Sequence, residues 1–434
     1  MFAAVNTGTM VKNTTHKVVL PFYLYAALSL LAGTIILFFS ARSFTHYYFH
    51  PHILAIIHIM ALGWGTMIIL GASHQLVPVL IEKSLYSTRL AYASFILAAI
   101  GIPLLVYGFY VFNMGWPAKW GGRFVLLAVL CYVINLYKSL SKSKTKNVHA
   151  FFVLTSSLWL LLTVVFGLAL VYNFNISFLP KESITYLPLH AHTGVIGWFL
   201  LLVTGVGSRL IPMFLISKYK NEKLLWVVYA LINGGLLSFV ILFLFIPGRS
   251  FLLIPVIAVL FALVLFGYYC YESFKLRIRK QVDEQMKTSL LSVLMMAMPL
   301  IFLISVAGWL FADKMNERMV LIYGFIIFFG WITAIIFGMT FKTLPFIVWN
   351  NVYHDKAGLG KTPNPKELFN NNLFVGMVLI YLAGFILFII GASFAQAAML
   401  NIAAVLLIIA ATLYNWNVIK VLSHKPQKNE CNYQ

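Results

Sequence analysis

The stretch HAHTGVIGWFLLLVTGVGSRLIP, His190 to Pro212, occurs in related form three times, and this repetition constrains the chain more than any other feature. The earlier copy is HIMALGWGTMIILGASHQLVP, and its His58, Gly63, Trp64, Gly71 and Pro78 keep the spacing of His192, Gly197, Trp198, Gly205 and Pro212. The third copy keeps Gly330, Trp331, Gly338 and Pro345 but has Phe325 in the histidine position. Offsets of 134 and 133 residues imply three units of equal length whose second elements correspond. Two of the three carry a candidate metal ligand.

The surrounding residues set the class. Apolar runs of membrane-crossing length recur from end to end, and 62% of the residues are hydrophobic against 10% charged. The expected fold is therefore an all-α polytopic membrane protein with a single transmembrane domain over 1–434. Twelve spans are expected at 18–40, 51–80, 88–113, 121–140, 150–173, 187–215, 223–246, 250–272, 289–312, 319–348, 372–394 and 397–420, forming repeat units at roughly 18–140, 150–272 and 289–420.

The formal charge of +20 invites a nucleic-acid reading, but its distribution argues otherwise. Most Lys and Arg residues fall on the side of the N-terminus, including Lys138, Lys142, Lys144 and Lys146 in one loop and Lys275, Arg277, Arg279 and Lys280 in another. This positive-inside pattern places both termini in the cytoplasm, and the expected partners are membrane lipids, with no nucleic acid. A bacterial inner membrane is the expected location. The three cysteines, Cys131, Cys270 and Cys431, are too scattered for a disulfide framework or a thiolate metal site. The polar N-terminal tail precedes a full-length span and does not read as a cleaved signal peptide.

The candidate chemistry thus rests on histidines. His58 lies about seven residues into the second span, ~10 Å below the surface, where an ionisable side chain needs a partner. A neutral histidine bonded to a neighbouring helix is the plain alternative, and the matching depth of His192 weakens it. His190 and His192 are two apart, a rotation of ~200° on a helix, so their rings leave on nearly opposite faces. Gly63 and Gly197, with Gly194, Gly205 and Gly207, leave room for a flat macrocycle or, equally, for close helix packing. His46, His50 and His52 sit among aromatic residues just before the second span, in a position also suited to plain interface anchoring. His74, ~24 Å further along the helix than His58, and His149 belong to the cytoplasmic end. Arg209 and Lys342 are expected to snorkel there. The lone Gly360-Lys361-Thr362 lacks the spacing of a phosphate loop.

With these residues in view, the chain resembles the haem-copper oxidase subunit I superfamily, which includes the cytochrome oxidases and nitric oxide reductases. That family has twelve spans in three pseudo-symmetric groups of four. HAHTGVIGW is similar to its His-x-His haem motif, and His58 matches the second-helix histidine that completes a low-spin haem site. The departures are specific: the His-x-His pair stands on span six, span ten has no histidine, and the copper-ligating His-His pair is missing. The nitric-oxide-response membrane proteins related to the superfamily are a second resemblance. On this basis His58, His192 and His190 are the expected haem-iron ligands, with His52, Gly63 and Gly197 completing the cofactor-binding set. One haem b is expected between His58 and His192, His190 on the other face is left either to hold a second haem or to contact His52, and copper is not expected.

The resemblance implies a haem-dependent oxidoreductase for electron transfer or for nitric oxide or oxygen chemistry. The alternatives are a non-enzymatic gas-binding, sensing or oxidase-assembly protein, and a haem-free transporter. The eleven Asp and Glu residues lie in loops or at span ends, with Glu272 nearest to a buried position, which argues against proton pumping. A small gaseous or quinol substrate and an electron-donor partner or subunit fit a chain with no c-type haem attachment motif.

Overall fold

The computed structural model describes residues 16–426 apart from 82, 143–146, 247–249, 312–316 and 355–361. The first part of the N-terminal tail, Lys144, Lys146, Gly360, Lys361 and Cys431 lie outside the described residues. Among the described residues, twelve helices are long and apolar enough to cross a membrane: α1 (Lys17–Phe39), α2 (Pro51–Leu80), α3 (Thr88–Tyr110), α4 (Trp116–Ser141), α5 (Val148–Ile176), α6 (Ser183–Leu215), α7 (Glu222–Phe245), α8 (Leu253–Lys275), α9 (Glu284–Ser305), α10 (Glu317–Tyr353), α11 (Asn371–Ser393) and α12 (Ala397–Leu422). The protein is an all-helical integral membrane protein. The described residues contain no strands.

Local chemistry explains where these helices begin. α3, α5, α7, α9 and α11 all start at one end of the bundle, and each is capped by a short polar side chain that accepts from a backbone N–H. The caps are Ser87 to Leu90 N (3.2 Å), Asn147 to Ala150 N (2.9 Å), Asn221 to Leu224 N (3.0 Å), Asp283 to Met286 N (3.1 Å) and Asn370 to Leu373 N (3.1 Å). At the opposite end, Pro51 opens α2 and Pro117 stands in the first turn of α4, where a missing N–H costs no hydrogen bond. Pro117 also explains why α4 starts five residues before the expected boundary at 121: Trp116–Trp120 is helical although it precedes the long apolar run.

The second helix of each unit lies innermost. In α2, α6 and α10, 67, 67 and 83% of the membrane-crossing core is buried, against 50% or less in the other spans. All three contain a π-helical stretch at the same place: Ile59–Thr66, Thr193–Leu200 and Ile326–Ile332. These stretches begin directly after His58, His192 and Phe325. Such turns, with one extra residue per turn, are frequent at functional sites.

The three inner helices are stitched by tryptophans. Trp64 of α2 donates its indole N–H to Thr333 of α10 (3.1 Å), and Trp198 of α6 donates to Thr66 of α2 (3.0 Å). The third step of this cycle is broken, because Leu200 stands where the other two helices have Thr66 and Thr333. Trp331 Nε1 is buried without a hydrogen-bond partner.

At the capped end, Asp283 joins α9, α10 and the segment before α11. Its carboxylate lies 2.7 Å from Lys342 Nζ, 2.9 Å from Lys366 Nζ and 3.6 Å from Arg279. The Lys342 side chain is only 7% exposed, so it does not snorkel to the interface as expected but turns inward to this carboxylate. Arg209, at the equivalent place on α6, is exposed.

Candidate functional site

A cavity of about 1420 Å³ lies between the inner helices, towards the end where α2, α6 and α10 begin. That exceeds the roughly 300–1,000 Å³ of an ordinary cofactor pocket. Its wall is mostly aliphatic and aromatic, and it includes His50, His58, His190, His192 and Tyr323.

The imidazoles of His58 and His190 face each other across this cavity, with ring centroids 6.2 Å apart and planes 15° from parallel. The separation is too large for direct stacking. A metal bound to one imidazole nitrogen on each side, at about 2 Å each, together with the two ring radii, requires a centroid separation of ~6 Å. His58 Nδ1 lies 2.7 Å from the Leu54 carbonyl. A carbonyl only accepts, so Nδ1 carries the proton and Nε2 keeps its lone pair, the tautomer an Nε2 metal bond needs. His190 Nδ1 is buried and has no hydrogen-bond partner. Space for this ring comes from Gly167 of α5, where a Cβ would approach His190 Cε1 to 2.6 Å. Phe109 of α3 packs at 4.5 Å from the His58 ring. The residues present therefore fit a flat prosthetic group with two axial imidazoles.

His192 turns to the opposite side of α6. Its Nδ1 lies 2.7 Å from the Pro188 carbonyl, the same four-residue reach made by His58, so its Nε2 also keeps the lone pair. That nitrogen lies 3.3 Å from the Tyr323 hydroxyl of α10, which therefore donates to it. The ring centroids are 6.0 Å apart. The pairing expected from spacing, His58 with His192, is thus replaced by His58 with His190 and His192 with Tyr323.

The repeat register explains the exchange. Tyr323 stands two residues before Phe325, as His190 stands two before His192 and Ile56 two before His58. The histidine-position residue of one unit meets the residue two places earlier in the next unit. This rule gives His–His between α2 and α6 and His–Tyr between α6 and α10. The residues in the corresponding positions on α10 and α2 are Phe325 and Ile56, both buried.

The remaining expected residues lie elsewhere. Gly63 and Gly197 do not line the cavity; their missing side chains admit neighbouring helices. A Cβ at Gly63 would meet Ser29 Oγ at 2.8 Å, and one at Gly197 would meet Trp159 Cγ at 2.6 Å. His52 is also absent from the lining. Its Nδ1 lies 3.2 Å from Ser40 Oγ, and its ring stacks on Tyr110 at 4.2 Å. His74 packs against Phe22 and Tyr132, and His149 bonds to Gly205 O and Ser208 Oγ, both at 3.1 Å. Tyr323 and Gly167 escaped the sequence reading. The signal for Tyr323 was available, since it occupies the His190 register in the third repeat. Gly167 lies outside the repeat and carried none.

Among the described residues, no three of His, Cys, Asp or Glu converge as a metal site. Comparison with protein-family models and with curated proteins finds no match. Among solved structures, the chain is similar to one described as a haem-copper terminal oxidase dimer determined by cryo-EM. The TM-score is 0.68 at 11% identity, covering 96% of this chain and 86% of that one. The chain has the fold of a haem-copper terminal oxidase.

Proposed function

We propose that this protein is a haem-binding membrane redox protein that holds haem b between α2 and α6 through His58 and His190. The observation that carries the reading is the near-parallel imidazole pair at 6.2 Å inside an apolar cavity. His58 and His190 would hold the haem, as the two neutral imidazoles facing the cavity. When bound, it supplies a one-electron centre whose potential depends on its axial ligands and burial. The chain's own residues do the positioning. The Leu54 carbonyl fixes the His58 tautomer, Gly167 leaves room for His190, and the apolar wall keeps water away.

Electron transfer without copper or proton pumping is the form of redox chemistry favoured. α7 carries no histidine, and no Asp or Glu stands inside the membrane core of the inner helices. A gas-binding or sensing role is the second reading, supported by a cavity larger than one cofactor requires. The proposed setting is a bacterial inner membrane with both termini in the cytoplasm and an electron-donor partner or subunit.

The test is a spectrum of the purified protein, oxidised and dithionite-reduced, with a pyridine haemochrome and a metal analysis. A b-type spectrum without copper is expected. It should be lost in His58→Ala and in His190→Ala and kept in His74→Ala, and the reduced haem should not respond to carbon monoxide. Full haem content in both cavity variants would overturn the assignment. A carbon-monoxide-sensitive haem would favour the gas-binding reading.

A further inference from the structure

The cluster around Asp283 carries more positive charge than its one carboxylate balances. Lys342 of α10, Lys366 before α11 and Arg279 after α8 all reach the same oxygen, Oδ2, at 2.7, 2.9 and 3.6 Å. Two ammonium groups against one oxygen stand less than about 6 Å apart, and like charges at that distance repel. Among the described residues, no other carboxylate lies within ion-pair distance of these three cations. Glu284 pairs with Lys287 at 2.7 Å and Glu272 with Lys275 at 3.9 Å. None of the four side chains lines the histidine cavity.

The excess charge is fixed in place. The loops after α6 and α8 pair, with Ser217 bridged to Arg277, the Ile278 N–H donating to the Ile216 carbonyl at 3.1 Å and the Arg279 N–H to the Leu215 carbonyl at 3.4 Å. This pairing holds the Arg279 backbone against the end of α6. Lys342 Nζ lies 5.0 Å from the Phe214 ring centroid of α6, and its side chain is only 7% exposed. The Lys366 and Arg279 side chains are 49 and 36% exposed, so they face outward from the same oxygen. An ammonium has three N–H groups and a guanidinium five, and one shared oxygen leaves donors directed elsewhere. An oxyanion with several acceptor oxygens suits them.

The surroundings select the oxyanion. Asp283 caps α9, so the cluster is level with the start of a membrane-crossing helix. Ile216 and Ile278 in the paired loops and Phe346, one turn after Lys342, are exposed apolar side chains. A free phosphate gains nothing from them, whereas a phosphate carrying acyl chains does. Basic sites between helices at this level of a membrane suit acidic headgroups.

We propose that this cluster binds the phosphodiester headgroup of an anionic phospholipid, with Lys366 and Arg279 as the exposed contacts and Lys342 as the buried cation behind them. The site is independent of the histidine cavity and of the haem reading.

The experiment adds phosphatidylglycerol or phosphatidylcholine with the same acyl chains to the full-length protein in detergent, and measures retained lipid and its affinity by native mass spectrometry. Phosphatidylglycerol should be retained in preference to phosphatidylcholine. Lys366→Ala and Arg279→Ala should each weaken its binding about tenfold, the effect of one charge-assisted hydrogen bond. Lys366→Arg, which keeps the charge, should retain it, and so should Lys138→Ala, which removes an exposed cation elsewhere at the same end. Haem content should be unchanged in all four variants. Equal affinity for the two lipids would overturn the proposal, as would unchanged binding in both Lys366→Ala and Arg279→Ala, or an equal loss in Lys138→Ala. Displacement of the lipid by millimolar inorganic phosphate would also overturn it, and would assign the cluster to a free phosphate.

Discussion

Two regions of the inner helices make the instructive comparison. Where α2 meets α6, two imidazoles face each other across an open cavity. Around Phe325 of α10, the same region of the repeat is filled with aromatic rings of α10, α11 and the segment before α2. Phe325 stacks on Phe388 at 4.0 Å, on Phe329 at 4.8 Å and on Phe385 at 5.8 Å, and Phe44 closes against Phe388 at 5.0 Å. The two regions share the π-helical turn and the tryptophan stitch, so backbone geometry does not separate them. The difference lies in two registers. Histidines there border an open cavity, whereas phenylalanine and isoleucine make a core. One scaffold therefore holds a cavity on one side and a packed core on another, and the α6–α10 interface, with His192 and Tyr323, lies between these extremes.

This contrast can be broken most sharply at the histidines. His190→Ala should eliminate bound haem, while Phe325→Ala should leave the haem-to-protein ratio unchanged, as read by pyridine haemochrome. Comparable haem loss in both variants would erase the distinction. Gly167→Ala comes next. Its new methyl would sit 2.6 Å from His190 Cε1, so His190 must move, and most of the haem should be lost although no ligand has been removed. Retention of full haem would mean that the His190 ring is not confined there.

The stability side of the comparison is smaller in effect. Phe325→Ala should cost about 3–5 kcal/mol through the cavity it leaves, seen as a lowered unfolding midpoint in detergent. Asp283 tests the same cohesive part of the bundle at the capped end. Burial raises its pKa, but the Lys342 and Lys366 ammonium groups outweigh that and hold it at about 2 against an ordinary value of 3.8. A lowered carboxyl pKa stabilises the folded state above the unfolded value. We therefore expect roughly 2 kcal/mol to be lost as pH falls from about 4 to about 2. Asp283→Asn should remove this acid-dependent step in a melting series. The smallest effect is expected from Leu200→Thr, which offers Trp331 Nε1 the acceptor its two counterparts already have. A gain of ~1 kcal/mol in unfolding free energy is expected, and none should appear in Leu200→Val.

Much of the fold was legible before any coordinates. Transmembrane helices announce themselves through uninterrupted apolar length, and short polar or proline residues mark their starts. Most span ends agree with expectation to within about three residues; α4, α9 and α10 extend five residues beyond it at Trp116, Glu284 and Tyr353, and α9 ends at Ser305 against an expected 312. The candidate site was legible in part. The repeat singled out His58, His190 and His192, but Gly63 and Gly197 were assigned to a cofactor when their role is to seat Ser29 and Trp159. A glycine in a membrane helix reads the same way for a macrocycle and for a neighbouring helix, because both require only a missing side chain.

The sequence by itself determined that the chain crosses a membrane in three corresponding units and that histidines recur in two of them, since hydropathy and spacing are properties of the chain alone. Only the tertiary structure decided which histidines meet. That outcome depends on the order in which the units close around one another and on the π-helical turns after His58 and His192, whose extra residue escapes a reading based on 3.6 residues per turn. Spacing placed His58 opposite His192. The rotation of the packed helices set it against His190 and gave His192 to Tyr323.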